Sequence, residues 1–391
     1  MREGWELKEI GEFAKVVGGG TPSTKIEEYW NGDIPWITPN DLSNYNFKFI
    51  LRGERNITER GLLKSSTKLH PKNTILLTSR APIGYLAIAG QSLTTNQGFQ
   101  SIICNENLAN PSYIFYCLKV YIDKIKAVAS GATFPEVSGK KVSKVKIPLP
   151  PLETQRKIAK ILSNYDDLIE NNLKRIKILE EMAQQTYEEW FVRMRFPGYE
   201  TTTINETTGL PEGWERDLVG NQLDKIKSTT KIKSSEIQKS GLFPVIDQSR
   251  DFIAGFTDDR VAVLRYSNTP YIVFGDHTRV LKLINFDFAR GADGTQIIKS
   301  KNKRMPQHLF YFTLMNIDLS NYHYARHFKY LKDSEIIIPS ESIANTFEDL
   351  VKLNYDIIFN LQSQNQRLRE ARDILLPRLM MGLLNVDDIN L

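Results

Sequence analysis

The chain has 391 residues, of which 41% are hydrophobic and 25% charged, and its net charge is +5. This length suffices for two or more domains with their own cores, and the composition is typical of a globular protein. No apolar run is long enough to span a bilayer, and the amino terminus lacks the apolar segment of a signal peptide. Because Cys104 and Cys117 are too few for a disulfide framework, we expect a cytoplasmic protein with reduced thiols.

The positive charge is concentrated in two blocks of the sequence. Residues 4–147 contain 18 basic and 12 acidic side chains, and residues 213–333 contain 19 and 13. By contrast, residues 148–212 contain 8 basic and 11 acidic side chains, and residues 334–391 contain 5 and 9. Two basic blocks favour contact with a polyanion such as nucleic acid, although charge differences of this size also arise without any function.

The first block mixes short strands, turns and at least one helix. Residues 18–23, with three consecutive glycines, form either a mobile or a tightly turning loop. Strand-like runs follow at residues 75–77, 85–88 and 99–103, and the pattern predicts a helix over residues 111–128. The block is therefore predicted to be α+β.

A long helix follows, from Pro148 to Arg195, and its start is set by three prolines. Apolar residues recur at alternating steps of four and three, which is typical of a helix packed along another long helix. Asn172 and Thr186 are the polar members of this stripe. The stripe consists of Ile158, Leu162, Tyr165, Ile169, Asn172, Ile176, Leu179, Ala183, Thr186 and Trp190.

An internal repeat supplies the partner helix. Gly4-Trp5-Glu6 recurs 209 residues later as Gly213-Trp214-Glu215, and Asn164-Tyr165-Asp166 recurs 190 residues later as Asn354-Tyr355-Asp356. The chain is thus a globular block plus a long helix, repeated once. Two copies in one chain commonly arrange around a pseudo-two-fold axis, so we expect the two helices to run antiparallel, although the stripes alone also permit pairing with other chains.

The second block repeats the α+β character of the first. Strands are predicted at residues 241–246, 261–264, 271–274 and 280–283, and a helix at residues 306–315.

The second long helix has its own apolar stripe. Arg372 interrupts that stripe, Pro377 is predicted to kink or end the helix, and Gly382 is a further stop signal. The stripe consists of Phe347, Val351, Asn354, Ile358, Leu361, Asn365, Leu368, Leu375 and Leu379.

Catalytic signatures are weak in this sequence. Residues 110–113, Asn-Pro-Ser-Tyr, resemble the Asn-Pro-Pro-Tyr loop of adenine-N6 methyltransferases, but a serine replaces the second proline and a helix start explains them better. No phosphate-binding Gly-Lys-Ser/Thr loop is present, and neither a nucleophile nor metal-ligand spacing accompanies Asp276-His277. We predict a protein without catalytic, cofactor-binding or metal-binding residues. An autonomous adenine-N6 methyltransferase and a helical scaffold that does not bind DNA remain the alternatives.

Polar side chains cluster at predicted strand ends in both basic blocks. Arginine, asparagine and glutamine read hydrogen-bonding patterns on base edges, and lysines near the block–helix junctions suit phosphates. For any single residue an ordinary turn explains the sequence as well, but the duplication favours DNA binding for the set. The candidates are Ser79, Arg80, Thr95, Asn96, Gln97, Lys140, Lys141, Gln248, Ser249, Arg250, His277, Thr278, Arg279, Arg290, Arg326 and Lys329.

Short motifs in a fixed order extend over essentially the whole chain. They are Gly4-Trp5 with Leu7 and Gly11-Glu12, residues 19–23 followed by Tyr29-Trp30 and Ile34-Pro35-Trp36, Thr95-Asn96-Gln97-Gly98-Phe99, residues 147–155 (IPLPPLETQ) and Leu210-Pro211-Glu212-Gly213-Trp214. With these motifs the chain resembles the specificity (S) subunits of type I restriction–modification systems. The second half departs from the pattern, since Ile338-Pro339-Ser340 lacks the double proline.

The resemblance implies an α+β fold of two target-recognition domains separated by two long antiparallel helices that form a coiled-coil spacer. The first domain would cover residues 1–150 and the central helix residues 151–196. Residues 197–335 would form the linker and second domain, and residues 336–391 the distal helix. Each domain would read one part of a split double-stranded DNA target.

The resemblance also implies partner subunits. The helices would dock two modification subunits that methylate adenine with S-adenosylmethionine, and the family allows restriction subunits that use ATP and Mg²⁺. No cofactor is expected in this chain.

Overall fold

The computed structural model describes residues 4–131, 135–226, 229–321 and 326–386. The chain divides into two compact units. Unit 1 comprises Met1–Leu173 and Ser363–Leu391, and unit 2 comprises Lys174–Gln362. The division falls inside both long helices, whereas the predicted domain boundaries lie at the helix ends; those boundaries remain a prediction.

Unit 1 is an α+β unit built on a five-stranded and a three-stranded sheet. Its elements are β1 (Glu6–Glu9), α1 (Ile10–Phe13), β2 (Ala14–Gly18), β3 (Trp30–Ile37), β4 (Phe49–Ile50), β5 (Arg55–Ile57), α2 (Glu59–Leu63), β6 (Ile75–Leu77), β7 (Leu86–Ala89), β8 (Thr94–Thr95), β9 (Gln100–Cys104), α3 (Pro111–Ala127), α4 (Gly139–Ser143), β10 (Lys146–Leu149) and the start of α5 (Leu152–Tyr187). The sheet orders are β2-β9-β6-β7-β4 and β5-β3-β8, and β1 pairs with β10. The predicted strands and the helix after residue 110 are confirmed.

Unit 2 repeats this design. Its elements are β11 (Glu215–Leu218), α6 (Val219–Gln222), β12 (Phe243–Ile246), β13 (Gly255–Thr257), β14 (Val263–Leu264), β15 (Tyr271–Gly275), β16 (Leu281–Ile284), β17 (Phe288–Arg290), β18 (Thr295–Ile298), α7 (Gln307–Met315), α8 (His327–Asp333), β19 (Glu335–Ile338) and the start of α9 (Glu341–Met380). The sheet orders are β16-β15-β18 and β13-β12-β17-β14, and β11 pairs with β19.

Strand pairing confirms the internal repeat. In unit 1, β1 pairs antiparallel with β10, and β3 pairs in parallel with β8. In unit 2, β11 pairs antiparallel with β19, and β12 pairs in parallel with β17. The central strands correspond as well, because β6 lies between β9 and β7 as β15 lies between β18 and β16. The sequence did not indicate β1 or β11, whose charged, half-exposed residues pair with strands at the far end of their blocks.

Each unit buries part of both long helices in its core. In unit 1, Tyr113 and Tyr116 of α3 pack in one apolar cluster with Leu162 of α5 and Met380 of α9. In unit 2, the ring of Phe347 in α9 lies within 6.1 Å of several aromatic rings. Those rings belong to Tyr187, Trp190, Phe191 and Phe312. The helices are therefore stabilised by tertiary burial of their apolar stripes.

The two helices run antiparallel within each unit. In unit 1, the Asn172 amide donates to Asn365 Oδ1 over 3.0 Å. Arg372, the interruption in the second stripe, pairs with Asp166 at 2.6 Å, so the charge is compensated where it enters the seam. In unit 2, the Tyr187 ring lies 6.1 Å from the Phe347 ring.

The buried residues differ from the predicted stripes by one position at three places. Tyr187 and Phe191 are buried in place of Thr186 and Trp190, and Tyr355 is buried in place of Asn354. The α-helix ends at Tyr187 and continues as a π-helical turn over Glu188–Val192. An α-helix has 3.6 residues per turn, so a stripe of period 3.5 does not match its buried face at every position.

Pro377 does not end α9, which was predicted to kink or stop there. The helix continues to Met380, and Gly382 then adopts a φ of +70°. Because Leu379 and Met380 are buried in the core of unit 1, their packing offsets the hydrogen bond that proline removes from the last turn.

The Asn172–Asn365 pair should stabilise unit 1 only while both amides are present. Asn172→Leu leaves the side-chain oxygen Oδ1 of Asn365, a residue that is 1% exposed, without its donor, and we expect a loss of about 1–3 kcal/mol of unfolding free energy. The double variant Asn172→Leu/Asn365→Leu should recover most of this loss, since both groups are then apolar. Urea unfolding of the three chains measures the difference, and equal stability of the single and double variants would contradict the assignment.

Candidate nucleic-acid interface

Two loops at one end of the sheets of unit 1 are joined through the backbone. These tip loops of unit 1 are residues 78–85, between β6 and β7, and residues 96–99, between β8 and β9. Ser79 N donates to Gly98 O over 2.7 Å, and Asn96 N donates to Ile37 O at the end of β3 over 2.9 Å. A third bond, of 2.9 Å, runs from Gly20 N to Thr95 O. Polar residues from separated segments thereby share one surface.

Unit 2 has the same three backbone hydrogen bonds. Its tip loops are residues 276–280, between β15 and β16, and residues 291–294, between β17 and β18. Asp276 N donates to Gly294 O over 2.6 Å, Gly291 N to Ile246 O over 2.8 Å, and Ile232 N to Arg290 O over 2.9 Å. The two units thus present equivalent tip loops on equivalent strands.

The glycine loop of unit 1 is tightly packed, which decides between the two alternatives left by the sequence. A Cβ atom on Gly19 would lie 2.0 Å from the carbonyl oxygen of Asn96, and one on Gly20 would lie 2.4 Å from the backbone nitrogen of Thr67. Only glycine permits this approach of the chain to the tip loops.

Two of the predicted residues of unit 1 lie in the interior. The side chains of Ser79 and Thr95 are buried, and Thr95 Oγ1 lies 3.2 Å from Nε2 of His70. Burial lowers the pKa of His70 to about 4, so the ring is neutral at pH 7. The Thr95 side chain is therefore placed to hold a tip loop rather than to touch a ligand directly, whereas Ser79 is buried and joins the loops through its backbone N–H.

The other predicted residues of this unit reach solvent. Gln97 is exposed and Asn96 is half-buried. The Thr21 hydroxyl donates a hydrogen bond to the side-chain oxygen Oε1 of Gln97. The Arg80 guanidinium is half-exposed and lies 3.7 Å from the Glu136 carboxylate. Asn96 Oδ1 also accepts from Gly98 N over 2.8 Å, so both amide oxygens are engaged within the unit while the side chains of Gln97 and Arg80 still reach solvent.

Gln248 joins both tip loops of unit 2. Its carbonyl oxygen Oε1 accepts from His277 N over 3.1 Å, and its amide nitrogen donates to Asp293 O over 3.1 Å. The backbone oxygen of Gln248 accepts from Thr278 Oγ1 over 2.6 Å. Both polar atoms of the side chain are thus engaged within the unit, and Gln248 positions the loops.

The remaining predicted residues of unit 2 also divide into side chains that bond within the unit and side chains that are exposed. Arg290 donates through Nε to Thr295 O over 2.7 Å, and Ser249 Oγ donates to Asp247 Oδ1 over 2.5 Å, so both are engaged internally. Arg250, His277 and Arg279 are exposed.

Arg279 has a backbone conformation that is unusual for arginine. Its φ is +62°, and its guanidinium donates to Leu319 O over 3.0 Å. Left-handed backbone at a non-glycine residue is uncommon and collects at functional sites, where the surrounding structure holds it in place.

The basic residues predicted for phosphate contacts lie on short helices beside the tip loops. Val137, just before α4, donates its N–H to Ser79 O over 3.0 Å, and His327, at the start of α8, donates its N–H to Asp276 O over 2.9 Å. Lys140 is exposed and Lys141 half-buried on α4, while Arg326 and Lys329 are exposed at α8. Both helices therefore occupy equivalent places next to a tip loop.

Lys231 and Lys233 were not among the predicted residues. They flank Ile232, which bonds to the second tip loop of unit 2, and both are exposed. The sequence signal was a lysine-rich stretch between residues 225 and 239, but nothing in it indicated that this stretch lies against a loop 60 residues away.

The two catalytic patterns noted in the sequence are structural. Asn110 caps α3 by accepting from Tyr113 N over 3.0 Å, and the Tyr113 ring is fully buried with its hydroxyl donating to Pro148 O over 3.0 Å. Asp276 is 4% exposed and accepts from Phe328 N over 2.8 Å, while His277 points into solvent. Neither pattern forms a catalytic arrangement.

Among the described residues, no group of three or more His, Cys, Asp or Glu side chains could hold a metal ion.

Comparison with known proteins agrees with this geometry. The type I restriction enzyme MjaIX specificity subunit of Methanocaldococcus jannaschii is 36% identical over 410 aligned residues, which cover 98% of this chain and 94% of that protein. The chain belongs to the type I restriction enzyme specificity subunits. The predicted family and its DNA-recognition function are thereby confirmed.

Further matches support the assignment of this specificity subunit. Residues 2–181 match the family model of the type I restriction modification DNA specificity domain. The EcoR124I/EcoR124II specificity subunit of Escherichia coli is 33% identical over 190 residues, covering 47% of this chain and 46% of that protein. The crystal structure of a type I S subunit from M. genitalium has the same fold, with a TM-score of 0.65 at 17% identity over 96% of both chains. In the part of this specificity subunit that the structure describes, no helix meets the length and apolarity needed to cross a membrane.

If Gln248 positions the tip loops of the specificity subunit, its loss should affect several bases at once. Gln248→Ala removes both side-chain bonds, and we expect discrimination to fall at more than one base position, by about 1–3 kcal/mol for each base that is no longer read. Competition binding with duplexes carrying every single-base change in the target measures this. Gln91→Ala is the matched control, since Gln91 also donates to a backbone carbonyl but follows β7 at the opposite end of its strand. Relaxation at one base only would indicate that Gln248 reads that base itself.

Proposed function

We propose that this specificity subunit reads a bipartite double-stranded DNA target, one part with the tip loops of each unit. The equivalent set of three backbone hydrogen bonds in both units carries the proposal, because it gives the chain two equivalent recognition surfaces. The membership of the DNA-specificity family supports the choice of ligand.

The exposed side chains suit base edges. Arg80, Asn96 and Gln97 in unit 1 offer a guanidinium and two amide NH₂ groups, which can donate to the acceptor atoms on base edges. In unit 2, Arg250, His277 and Arg279 take this role. Other members of the predicted set would hold the loops in place: Thr95 and Ser249 through their side chains, and Ser79 through its backbone N–H.

The basic residues on α4 and α8 suit the sugar–phosphate backbone. Lys140, Lys141, Arg326 and Lys329 lie on elements bonded to the tip loops, so they would meet phosphates beside the bases being read. Such contacts orient the protein on the duplex and add affinity without sequence information.

Chemistry would be performed by partner subunits. Asn110 caps a helix and the Tyr113 ring is buried, so the ring cannot stack on an extruded adenine, which removes the motif that favoured an autonomous methyltransferase. Two modification subunits would bind S-adenosylmethionine and methylate adenine after extruding it from the duplex. Restriction subunits, where present, would use ATP and Mg²⁺. The complex would act in the cytoplasm, where the DNA of the cell is found.

The long helices provide a surface for these partners. In unit 2, Ile178 and Met182 on α5 are 55% and 50% exposed, and Leu353 and Ile357 on α9 are 64% and 42% exposed. Each pair is spaced by four residues and so lies on one face of its helix. Exposed apolar side chains grouped in this way mark protein–protein contacts, and we assign them to a modification subunit.

Methylome sequencing tests the bipartite proposal. Arg80→Ala/Gln97→Ala should relax one part of the methylated motif, and Arg250→Ala/His277→Ala should relax the other, because the two sets lie in different units. Each variant is expressed with the modification subunits in cells lacking the native system. Equal relaxation of both parts by either variant would refute the assignment of one part to each unit.

Ile178→Lys/Met182→Lys tests the docking surface. Desolvating two ammonium groups in an apolar contact is unfavourable, so we expect loss of a modification subunit from the complex while the chain keeps its fold. Native mass spectrometry measures the subunit count, and circular dichroism checks folding. Leu63→Lys/Leu69→Lys, at positions 80% and 50% exposed in unit 1, is the matched control and should assemble normally. Normal assembly of the helix variant would place the docking surface elsewhere.

A further inference from the structure

A lysine-rich segment of unit 2 is fixed against one of its tip loops. Ile232 N donates to Arg290 O over 2.9 Å, and Ile232 O accepts from Ala292 N over 2.7 Å. The Ile232 side chain is 4% exposed and packs with Val245, Ala262 and Ala289. The backbone on either side of Ile232 therefore has a defined position beside residues 291–294.

Lys231 and Lys233 project from this anchored point. Neighbouring side chains of an extended segment point to opposite faces, so the burial of Ile232 turns both lysines outwards, and both are exposed. The acidic residue that follows, Glu236, accepts a hydrogen bond from the backbone nitrogen of Lys233 over 3.0 Å. The anchored segment thus places two ammonium groups at the rim of the tip loop.

The equivalent position of unit 1 has no charge. There Gly20 N makes the matching bond to Thr95 O, and its neighbours are Gly19 and Thr21. The residue that makes this backbone bond therefore lies in a close-packed glycine loop in unit 1 and between two lysines in unit 2. This difference is not required by the fold, because unit 1 makes the bond without it.

We propose that Lys231 and Lys233 form a phosphate-binding site, which contacts the DNA backbone next to the bases read by the tip loops of unit 2. A flexible ammonium is a point charge that suits a phosphate and does not require the planar geometry of a base edge. This site rests on the proposed function. It adds that the lysine pair of unit 2 contributes salt-dependent DNA affinity, which the uncharged equivalent position of unit 1 does not.

The salt dependence of binding distinguishes this role from base reading. Each phosphate neutralised by a lysine contributes about 0.9 to the slope of log affinity against log salt concentration. The variant Lys231→Gln/Lys233→Gln should therefore lower the magnitude of this slope by about 1.8 and weaken binding roughly 10-fold to 60-fold at 0.1 M salt. The loss should be the same for the target duplex and a scrambled duplex, and the methylated motif should not change.

Lys301→Gln/Lys303→Gln is the matched control. These two exposed lysines also flank one anchored residue, Asn302, and their removal changes the net charge equally. The tip loop of residues 291–294 precedes β18, and these two lysines follow the last residue of that strand. They therefore lie at the end of β18 that is remote from the tip loop. We expect a slope close to that of the wild-type chain.

The measurement uses the full chain assembled with its modification subunits and fluorescence anisotropy between 50 and 300 mM KCl, a range of about sixfold in salt that resolves slope changes of this size. An unchanged slope, an equal change in the control, or an altered motif would overturn the phosphate-site proposal. If the wild-type complex does not prefer its target to the scrambled duplex, the proposed function fails, whereas the slope of the lysine variant still tests the phosphate site on either duplex.

Discussion

Backbone hydrogen bonds between strand ends are the constraint on which the tip loops of both units depend. In unit 1, Ser79 N and Asn96 N reach carbonyl oxygens of other segments, and Asp276 N and Gly291 N do so in unit 2. Such bonds satisfy polar groups that would otherwise be left unpaired near the core, and they do not require a particular side chain. The side chains of the loops can therefore change without loss of these backbone hydrogen bonds.

The two units fill this common frame with different side chains. A Cβ on Gly98 would lie 2.9 Å from the Pro39 ring, whereas a Cβ on Gly294 would lie 2.6 Å from the Gln248 amide. In unit 1, Asn96 Oδ1 accepts from Gly98 N over 2.8 Å within one tip loop, whereas in unit 2 the Gln248 side chain bonds to both tip loops. Because an amide has fixed donor and acceptor positions, each unit depends on a particular amide residue, at a different place in the loops.

Within unit 1, the polar residues of the helix stripes bond to partners on the other helix. Asn172 and Asn365 bond to each other in the buried seam, and Arg372 meets Asp166 where a charge would otherwise be desolvated without a partner. A buried polar pair fits one register only, since a shift along the helix leaves both groups unsatisfied. The stripe with its polar interruptions therefore specifies alignment more strictly than a purely apolar stripe.

The sequence by itself determined the family, the repeat, the long helices and a minority of the strands, because these follow from local periodicity and from short motifs such as Gly4-Trp5 and its copy at Gly213-Trp214. It could not separate residues that face solvent, such as Gln97, from buried ones, such as Thr95, since burial depends on what packs above a loop. Only the tertiary structure decided that Gln248 joins two loops and that Lys231 lies at their rim. Those contacts connect segments distant in sequence, and no local pattern encodes which distant backbone a segment will meet.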